Sequence, residues 1–168
     1  MKWERILIAI NDSEPATWAV ETAVGLAQQL GSRVTLLHVV NRARAFVDNI
    51  ENPSAELLAE LRRAGQSLLE QTARRIGAKI TVETVLREGK PADEIVAAAC
   101  QAHAQLVVLG THGRSRLSHL LLGSTAEAVV RQCRCAVLTI GNKPSDGNGV
   151  SRLATAMASG KSTTTTTR

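Results

Sequence analysis

Short apolar segments alternate with longer amphipathic segments along the chain, and this alternation constrains the fold more than any other feature of the sequence. Five segments rich in Val, Ile and Leu are predicted as strands: residues 5–10, 34–40, 79–86, 106–110 and 136–140. Four longer segments repeat apolar residues at helical spacing and are predicted as helices: residues 14–30, 53–76, 91–103 and 124–132. Ser13 is the expected N-cap of the first helix, and Gly31 and Gly77 directly follow two predicted helix ends.

Such a chain is expected to form one parallel sheet with helices on both faces, because the connections are long enough to cross over between parallel strands. The third strand alternates polar and apolar residues, which is typical of an edge strand. We therefore predict a single-domain, doubly wound α/β fold with five parallel strands in the order 3-2-1-4-5. Ligands of such sheets bind at the carboxyl ends of the strands, where the winding reverses. That point lies between strands 1 and 4, so the site is expected in residues 11–13 and 110–124.

Residues 143–168 differ in composition from the preceding chain, with many Ser and Thr residues and few large apolar ones. We expect a folded domain over residues 1–142 and a low-complexity, disordered tail over residues 143–168. The tail carries +3 of the formal net charge of +5, so the domain is nearly balanced. Nucleic-acid binding is not favoured, because the chain has only three aromatic side chains to stack on bases.

No apolar run is long enough to span a bilayer, and the apolar stretch near the N-terminus is shorter than a signal-peptide h-region. The sequence thus predicts a cytoplasmic protein with no membrane partner. The cysteines Cys100, Cys133 and Cys135 lack the spacing of a zinc site, and we expect them to be structural thiols and no metal site to be present.

The strongest local motif follows the fourth strand, where residues 110–114 read Gly-Thr-His-Gly-Arg and residues 123–125 read Gly-Ser-Thr. Glycine lets a ligand approach the main chain, and the free N–H groups at the start of a helix favour an anion. The motif therefore suits a phosphate group, although it has no P-loop lysine. The residues alone leave a second interpretation equally open, in which the glycines only turn the chain and cap the helix.

The spacing Gly-x2-Gly-x9-Gly-Ser from Gly110 to Ser124 resembles the nucleotide-binding signature of the universal stress protein family. Residues 6–14, 36–39 and 88–95 are similar to three further blocks of that family, in the family's order. The resemblance covers residues 3–141.

This resemblance implies an ATP site with the phosphates on the glycine loop and the adenine near the first two strands. The residues that it assigns to the nucleotide are Asn11, Asp12, Ser13, Val39, Gly110, His112, Gly113, Arg114, Gly123, Ser124 and Thr125. Mg²⁺ would be held mainly by the phosphates. Asn11 departs from the family pattern, which commonly has Asp there, and it loses a charge-assisted hydrogen bond. Either the affinity is lower or Asp12 compensates. For Arg114, a phosphate contact and a solvent-facing role are both open.

The resemblance further implies a stress-response regulator that binds an unknown protein partner and forms a homodimer through the strand at residues 136–140, which is expected at a sheet edge. No nucleophile, base and orienting acid are placed to converge, so no catalytic residue is assigned. At most, the family implies slow ATP hydrolysis or autophosphorylation, for which Ser124 has the nearest hydroxyl. The alternative function is a homodimeric interaction protein that holds no nucleotide.

Overall fold

The computed structural model describes residues 3–41, 55–111, 122–141 and 154–156. In these residues the elements follow one another as β1 (Arg5–Ala9), α1 (Glu14–Leu30), β2 (Arg33–Val40), α2 (Ala55–Ile76), a 3-10 turn (Gly77–Lys79), β3 (Val82–Glu88), α3 (Pro91–Gln101), β4 (Leu106–Gly110), α4 (Ser124–Gln132), β5 (Ala136–Ile140) and β6 (Ala154–Ala156). No helix within the described ranges combines the length and the apolar character needed to cross a membrane.

The strands form one sheet in the order β3-β2-β1-β4-β5-β6. The first five are parallel, and β1 lies at the centre, where Ile8 pairs with Leu36 of β2 and with Val108 of β4. The predicted α/β class and the strand order 3-2-1-4-5 are confirmed. Winding reverses between β1 and β4, as the sequence predicts.

Two apolar cores cover the two faces of the sheet. Alternate strand residues point to opposite faces, so that Ile6 and Ile8 lie in the core beneath α1 and α2, whereas Leu7 lies in the core beneath α3 and α4. Each of these three side chains is at most 1% exposed, and burial of such a side chain contributes about 1.5–3 kcal/mol. The almost continuous apolar character of the central strands therefore follows from burial on both faces.

Two element ends differ from the sequence prediction because of left-handed backbone conformations. Gly77 has φ +71° after α2 and leads into the 3-10 turn, so β3 begins at Val82 and not at residue 79. His103 has φ +48°, and α3 accordingly ends at Gln101, two residues earlier than expected. The carbonyl oxygen of His103 accepts a hydrogen bond from Nε of Arg5 at 3.0 Å, which ties this turn to the start of β1.

The expectation that β5 is an edge strand is wrong, because β6 pairs with it in antiparallel orientation. Val137 lies opposite Ala156, and Thr139 lies opposite Ala154. The physical reason is that an outermost strand leaves a row of N–H and C=O groups to be paired, and a segment of the same chain meets that need here. After β5 the structure describes only Gly141 and the three residues of β6. The predicted boundary between domain and tail therefore stays a prediction.

Candidate functional site

The carboxyl ends of β1 and β4 lie side by side, and the chain leaves them toward opposite faces of the sheet. The helix after β1 is α1, which packs in the first core, and the helix after β4 is α4, which packs in the second. A crevice between the two connections is the position at which doubly wound sheets bind ligands. Asn11, Asp12 and Ser13 border it on the β1 side, and Thr111 and Gly123 border it on the β4 side.

On the β1 side, Asn11 builds the turn that starts α1. Its Oδ1 accepts hydrogen bonds from the Ser13 N–H at 3.1 Å and from the Ser13 hydroxyl at 2.5 Å. Ser13 is the N-cap, and its Oγ in turn accepts from the N–H of Ala16 at 3.4 Å, as the sequence predicts. The side-chain Oδ1 of the exposed Asn11 is therefore engaged within the turn. The Nδ2 amide group of the same side chain can donate to a ligand.

The turn rests on His38, which the motif analysis does not assign to the site. His38 is half-buried in β2, and its Nδ1 lies 2.9 Å from the carbonyl oxygen of Ile10. Because a carbonyl oxygen only accepts, Nδ1 carries the proton in this contact. The N–H of Ile10 donates to the carbonyl of Leu37 at 2.8 Å, so both main-chain groups before Asn11 are fixed by β2.

On the β4 side, Gly110 is needed for packing. A Cβ atom at this position would lie 2.9 Å from the carbonyl carbon of Pro15 and 3.0 Å from the N atom of Ala16. These are main-chain atoms of the first turn of α1, and they have no freedom to rotate away. The structural interpretation of the motif therefore holds for Gly110, because only glycine lets α1 lie this close to the end of β4.

A short main-chain contact closes the connection between β4 and α4. Thr111 is 7% exposed, and its N–H donates to the carbonyl of Ile140 at 2.8 Å. Its carbonyl oxygen accepts from the N–H of Gly123 at 2.6 Å, so the two ends of the connection meet at the sheet. His112, Gly113 and Arg114, which the sequence assigns to the site, lie outside the described residues.

Helix α4 starts at this closure, at Ser124. Gly123 is its N-cap, with φ −70° and ψ 154°, and no side chain in the described residues caps it. The N–H groups of Ser124, Thr125 and Ala126 have no acceptor within the helix, because a helix leaves its first donors unpaired. Ser124 is exposed and Thr125 is half-buried. Oriented donors, the positive end of the helix dipole and nearby hydroxyls together suit an anion.

Half-buried apolar side chains lie at the carboxyl edge of the sheet. Ala9 ends β1, Val39 is the penultimate residue of β2, and Leu122 precedes the N-cap of α4. All three pack against the second core, the one beneath α3 and α4. The structure thus provides an apolar surface beside a polar turn and a helix start, and Val39 is part of this surface.

Of two cavities in the described residues, one is too small for a nucleotide and the other lies away from this crevice. Asn11 and Asp12 line one of about 120 Å³ between α1 and α2, together with Thr72 and Arg75. Pockets for small-molecule ligands usually exceed about 300 Å³. A larger cavity of about 310 Å³ is lined by residues that include Gly31, Arg33 and Thr81. It lies at the amino ends of β2 and β3, at the opposite edge of the sheet, and we do not assign it to the site.

Within the parts of the chain that the structure describes, no three His, Cys, Asp or Glu side chains are grouped so as to hold a metal ion.

These features define the class of protein as a doubly wound α/β domain with a candidate ligand crevice at its switch point. The model of the universal stress protein family matches residues 2–141, and the chain belongs to this family. The resemblance seen in the sequence is thereby confirmed.

Individual relatives agree in sequence and in fold. Universal stress protein MJ0531 of Methanocaldococcus jannaschii is 34% identical over 142 residues, which are 82% of each chain. The solved structure of hypothetical protein MJ0577 is 26% identical with a TM-score of 0.75, covering 86% of this chain and 100% of that one. A universal stress protein solved in complex with cAMP is 22% identical with a TM-score of 0.64, over 86% of this chain and 100% of that one, and this likeness supports the fold.

Proposed function

We propose that this protein is a cytoplasmic regulator of the stress response that binds ATP in the crevice between β1 and β4. The observation that carries the proposal is the start of α4 at the switch point of the sheet, which no side chain of the described residues caps. Several N–H donors converge there beside the hydroxyls of Ser124 and Thr125, which is the chemistry that binds a phosphate group.

The phosphates would lie on the α4 side of the crevice. The N–H groups of Ser124 and Thr125 would donate to phosphate oxygens, and the Ser124 hydroxyl would add a further donor. Gly110, His112, Gly113 and Arg114 complete the glycine motif in the proposal, with Arg114 as a partner for phosphate charge. Mg²⁺ would be held mainly by the phosphates.

The adenosine would lie on the β1 side. Val39 offers an apolar contact for the base, and Ala9 and Leu122 extend the same surface. Asn11 would donate from Nδ2, since its Oδ1 is engaged with Ser13. Asp12 is a carboxylate and disfavours phosphate nearby, so it suits the uncharged sugar, whose hydroxyls can donate to it.

The output of the protein would be binding of a protein partner. A nucleotide shifts an equilibrium between two states only if its affinity for them differs, so the partner should distinguish the ATP-bound form from the free form. No catalytic residue is part of the proposal, and at most slow ATP hydrolysis or autophosphorylation at Ser124 is included.

Calorimetric titration of nucleotide-stripped protein with ATP and Mg²⁺ tests the proposal, with Gly123→Val as the diagnostic variant. The backbone angles of Gly123 are ones that any residue adopts, and the N–H that contacts Thr111 is kept, so the variant should fold. Its side chain would occupy the space in front of the helix start, and we expect affinity to fall by at least about tenfold, or 1.4 kcal/mol. Gly25→Ala, where an added Cβ meets nothing within 4 Å, is the matched control.

Unchanged affinity in a folded Gly123→Val protein would contradict the assignment of the phosphates to α4. No saturable binding by the wild type would favour the alternative, a homodimeric interaction protein without nucleotide. One observation favours that alternative: Oδ1 of Asn11 is engaged within the turn, which leaves one fewer strong contact for a ligand.

A further inference from the structure

Two cysteine thiols meet at the junction between α4 and β5. Sγ of Cys133 lies 3.3 Å from Sγ of Cys135, and both cysteines are free. Cys133 follows the last residue of α4, and the chain bends at residues 134 and 135 before β5 begins at Ala136. This bend brings the two sulfur atoms together, whereas in a regular strand residues i and i+2 share a face but lie about 6–7 Å apart, and in a helix they point in different directions.

The pair combines a sheltered thiol with a more accessible one. Cys133 is 4% exposed and packs in the core beneath α3 and α4, whereas Cys135 is half-buried at the border of that core. A disulfide has an S–S distance of about 2.0 Å, so the two sulfur atoms need to approach by little more than 1 Å. Arg134, between them, is exposed and need not cross the core in such a movement.

The two thiols differ in acidity. The pKa of Cys133 is lowered to about 6, first because the Cys135 thiol donates a hydrogen bond to its sulfur, while burial acts in the opposite direction. The main-chain N–H groups of Arg134 and Cys135 donate to the same sulfur and also lower this pKa. The end of α4 by itself disfavours an anion, and these donors oppose that effect. The same hydrogen bond, followed by burial, raises the pKa of Cys135.

We propose that Cys133 and Cys135 form a redox-active dithiol that hydrogen peroxide or a related hydroperoxide converts reversibly into an intramolecular disulfide. This role goes beyond the structural one expected from the sequence. It does not depend on nucleotide binding, because neither thiol belongs to the crevice.

The reaction consumes one hydrogen peroxide and produces two waters; an organic hydroperoxide yields one water and one alcohol instead. The Cys133 thiolate attacks one peroxide oxygen, the O–O bond breaks, and the departing hydroxide takes up the proton that the thiol released. Cys133 is then a sulfenic acid. Sγ of Cys135 attacks Sγ of Cys133, the S–O bond breaks, and the second hydroxide leaves as water with the Cys135 proton. An external thiol reduces the disulfide by exchange.

The experiment uses the full chain with Cys100→Ser, because Cys100 is exposed and would react independently. The protein is treated with hydrogen peroxide, the remaining thiols are alkylated, and intact mass is measured. We expect a monomer that has lost the mass of two hydrogen atoms, has no alkylation site and regains both thiols with dithiothreitol. Accumulation of sulfinic acid, or disulfides between chains in place of this product, would overturn the proposal.

Single variants assign the two roles. In Cys100→Ser with Cys135→Ser, peroxide should leave a Cys133 sulfenic acid that a dimedone probe traps. In Cys100→Ser with Cys133→Ser, Cys135 should react severalfold more slowly at neutral pH than Cys133 does in the first variant. Burial still raises the pKa of Cys135, whereas the main-chain N–H groups of Arg134 and Cys135 still lower that of Cys133. Equal reactivity of the two cysteines would overturn the assignment of Cys133 as the nucleophile.

Two further measurements need no variant beyond Cys100→Ser. The rate of peroxide oxidation should rise with pH around a midpoint near 6, as the Cys133 thiolate forms. Phenylarsine oxide, which bridges two adjacent thiols without an oxidant, should bind with one-to-one stoichiometry to the reduced protein and not to the oxidised one. Failure of the reduced protein to bind it would show that the thiols do not lie together, and the proposal would fall whatever the outcome of the ATP titration.

Discussion

Substitution of Gly110 by alanine separates the two roles that a glycine in this motif can have. If the residue serves packing, the variant is less stable without any ligand. If it serves only the approach of a phosphate, the free protein is unaffected and only nucleotide binding suffers. The structure favours packing, because the added Cβ would lie 2.9 Å from the carbonyl carbon of Pro15 and 3.0 Å from the N atom of Ala16 and from Cβ of Pro15.

The expected cost follows from these distances. Carbon atoms in contact are usually about 3.5–4.0 Å apart, so the new methyl group overlaps the first turn of α1 by about half an ångström or more. Overpacking of this kind costs about 1–3 kcal/mol. Removal of a glycine from a strand returns roughly 0.5–1 kcal/mol. We therefore expect a net loss of about 1–2 kcal/mol and a fall in Tm of roughly 3–10 °C.

Urea and thermal unfolding of the nucleotide-free protein measure this loss directly. Gly25→Ala is the matched control, since its Cβ meets nothing within 4 Å inside α1. Its free energy of unfolding should be unchanged or higher by up to about 1 kcal/mol, because alanine is the better helix former. A Gly110→Ala protein that is within about 0.5 kcal/mol of wild type would refute the packing argument, and a concurrent loss of ATP binding would assign the glycine to the ligand.

Two other predictions concern the crevice and the sheet edge. Asn11→Asp should keep the turn, since a carboxylate also accepts hydrogen bonds from Ser13. In calorimetry it should bind ATP roughly fivefold more tightly, because a charge-assisted bond to a sugar hydroxyl replaces a neutral one. Weaker binding would contradict the placement of the sugar, with Asn11→Ala as the control for loss of the turn. The double variant Ala154→Pro with Thr155→Pro should disrupt the pairing of β6 with β5, because one of two adjacent strand N–H groups faces the neighbouring strand. Sedimentation velocity should then show a larger dimer fraction than in the wild type or in the control variant Ser159→Pro. No increase would argue against a dimer through β5.

The parts of the fold that follow from burial and local capping could be predicted from the sequence. The bounds of α1 are as predicted, because Ser13 caps its start and Gly31 takes a left-handed conformation, φ +67°, after its end. The end of α3 could not be predicted, because a non-glycine residue seldom adopts a positive φ such as the +48° of His103. β6 could not be predicted either, since three small residues show no strand pattern and the pairing depends on a distant strand.

The position of the switch point could be predicted from the sequence, whereas the contacts around it could be predicted only in part. The switch point follows from strand order, with Asn11 after β1 on one side of it and Gly123 before α4 on the other. The engagement of Asn11 with Ser13 and the contact between Thr111 and Gly123 are three-dimensional features. Neither feature can be predicted from residue types, because the main-chain groups of any residue could make the contact between Thr111 and Gly123. Gly110 shows the same limit, since its need for glycine depends on how closely α1 packs.

The two described glycines of the motif, Gly110 and Gly123, are glycine for different physical reasons, and this difference bears on function. Gly110 is required by the fold, because a neighbouring helix occupies the space of its side chain. Gly123 is not required by its backbone, since φ −70° and ψ 154° suit any residue, and Ser, Asn or Asp would cap α4 at least as well. A capping side chain would, however, accept from the helix N–H groups that an anion needs. Glycine at this position leaves those donors to a ligand, which is why Gly123, and not Gly110, is the residue at which nucleotide binding is most sharply tested.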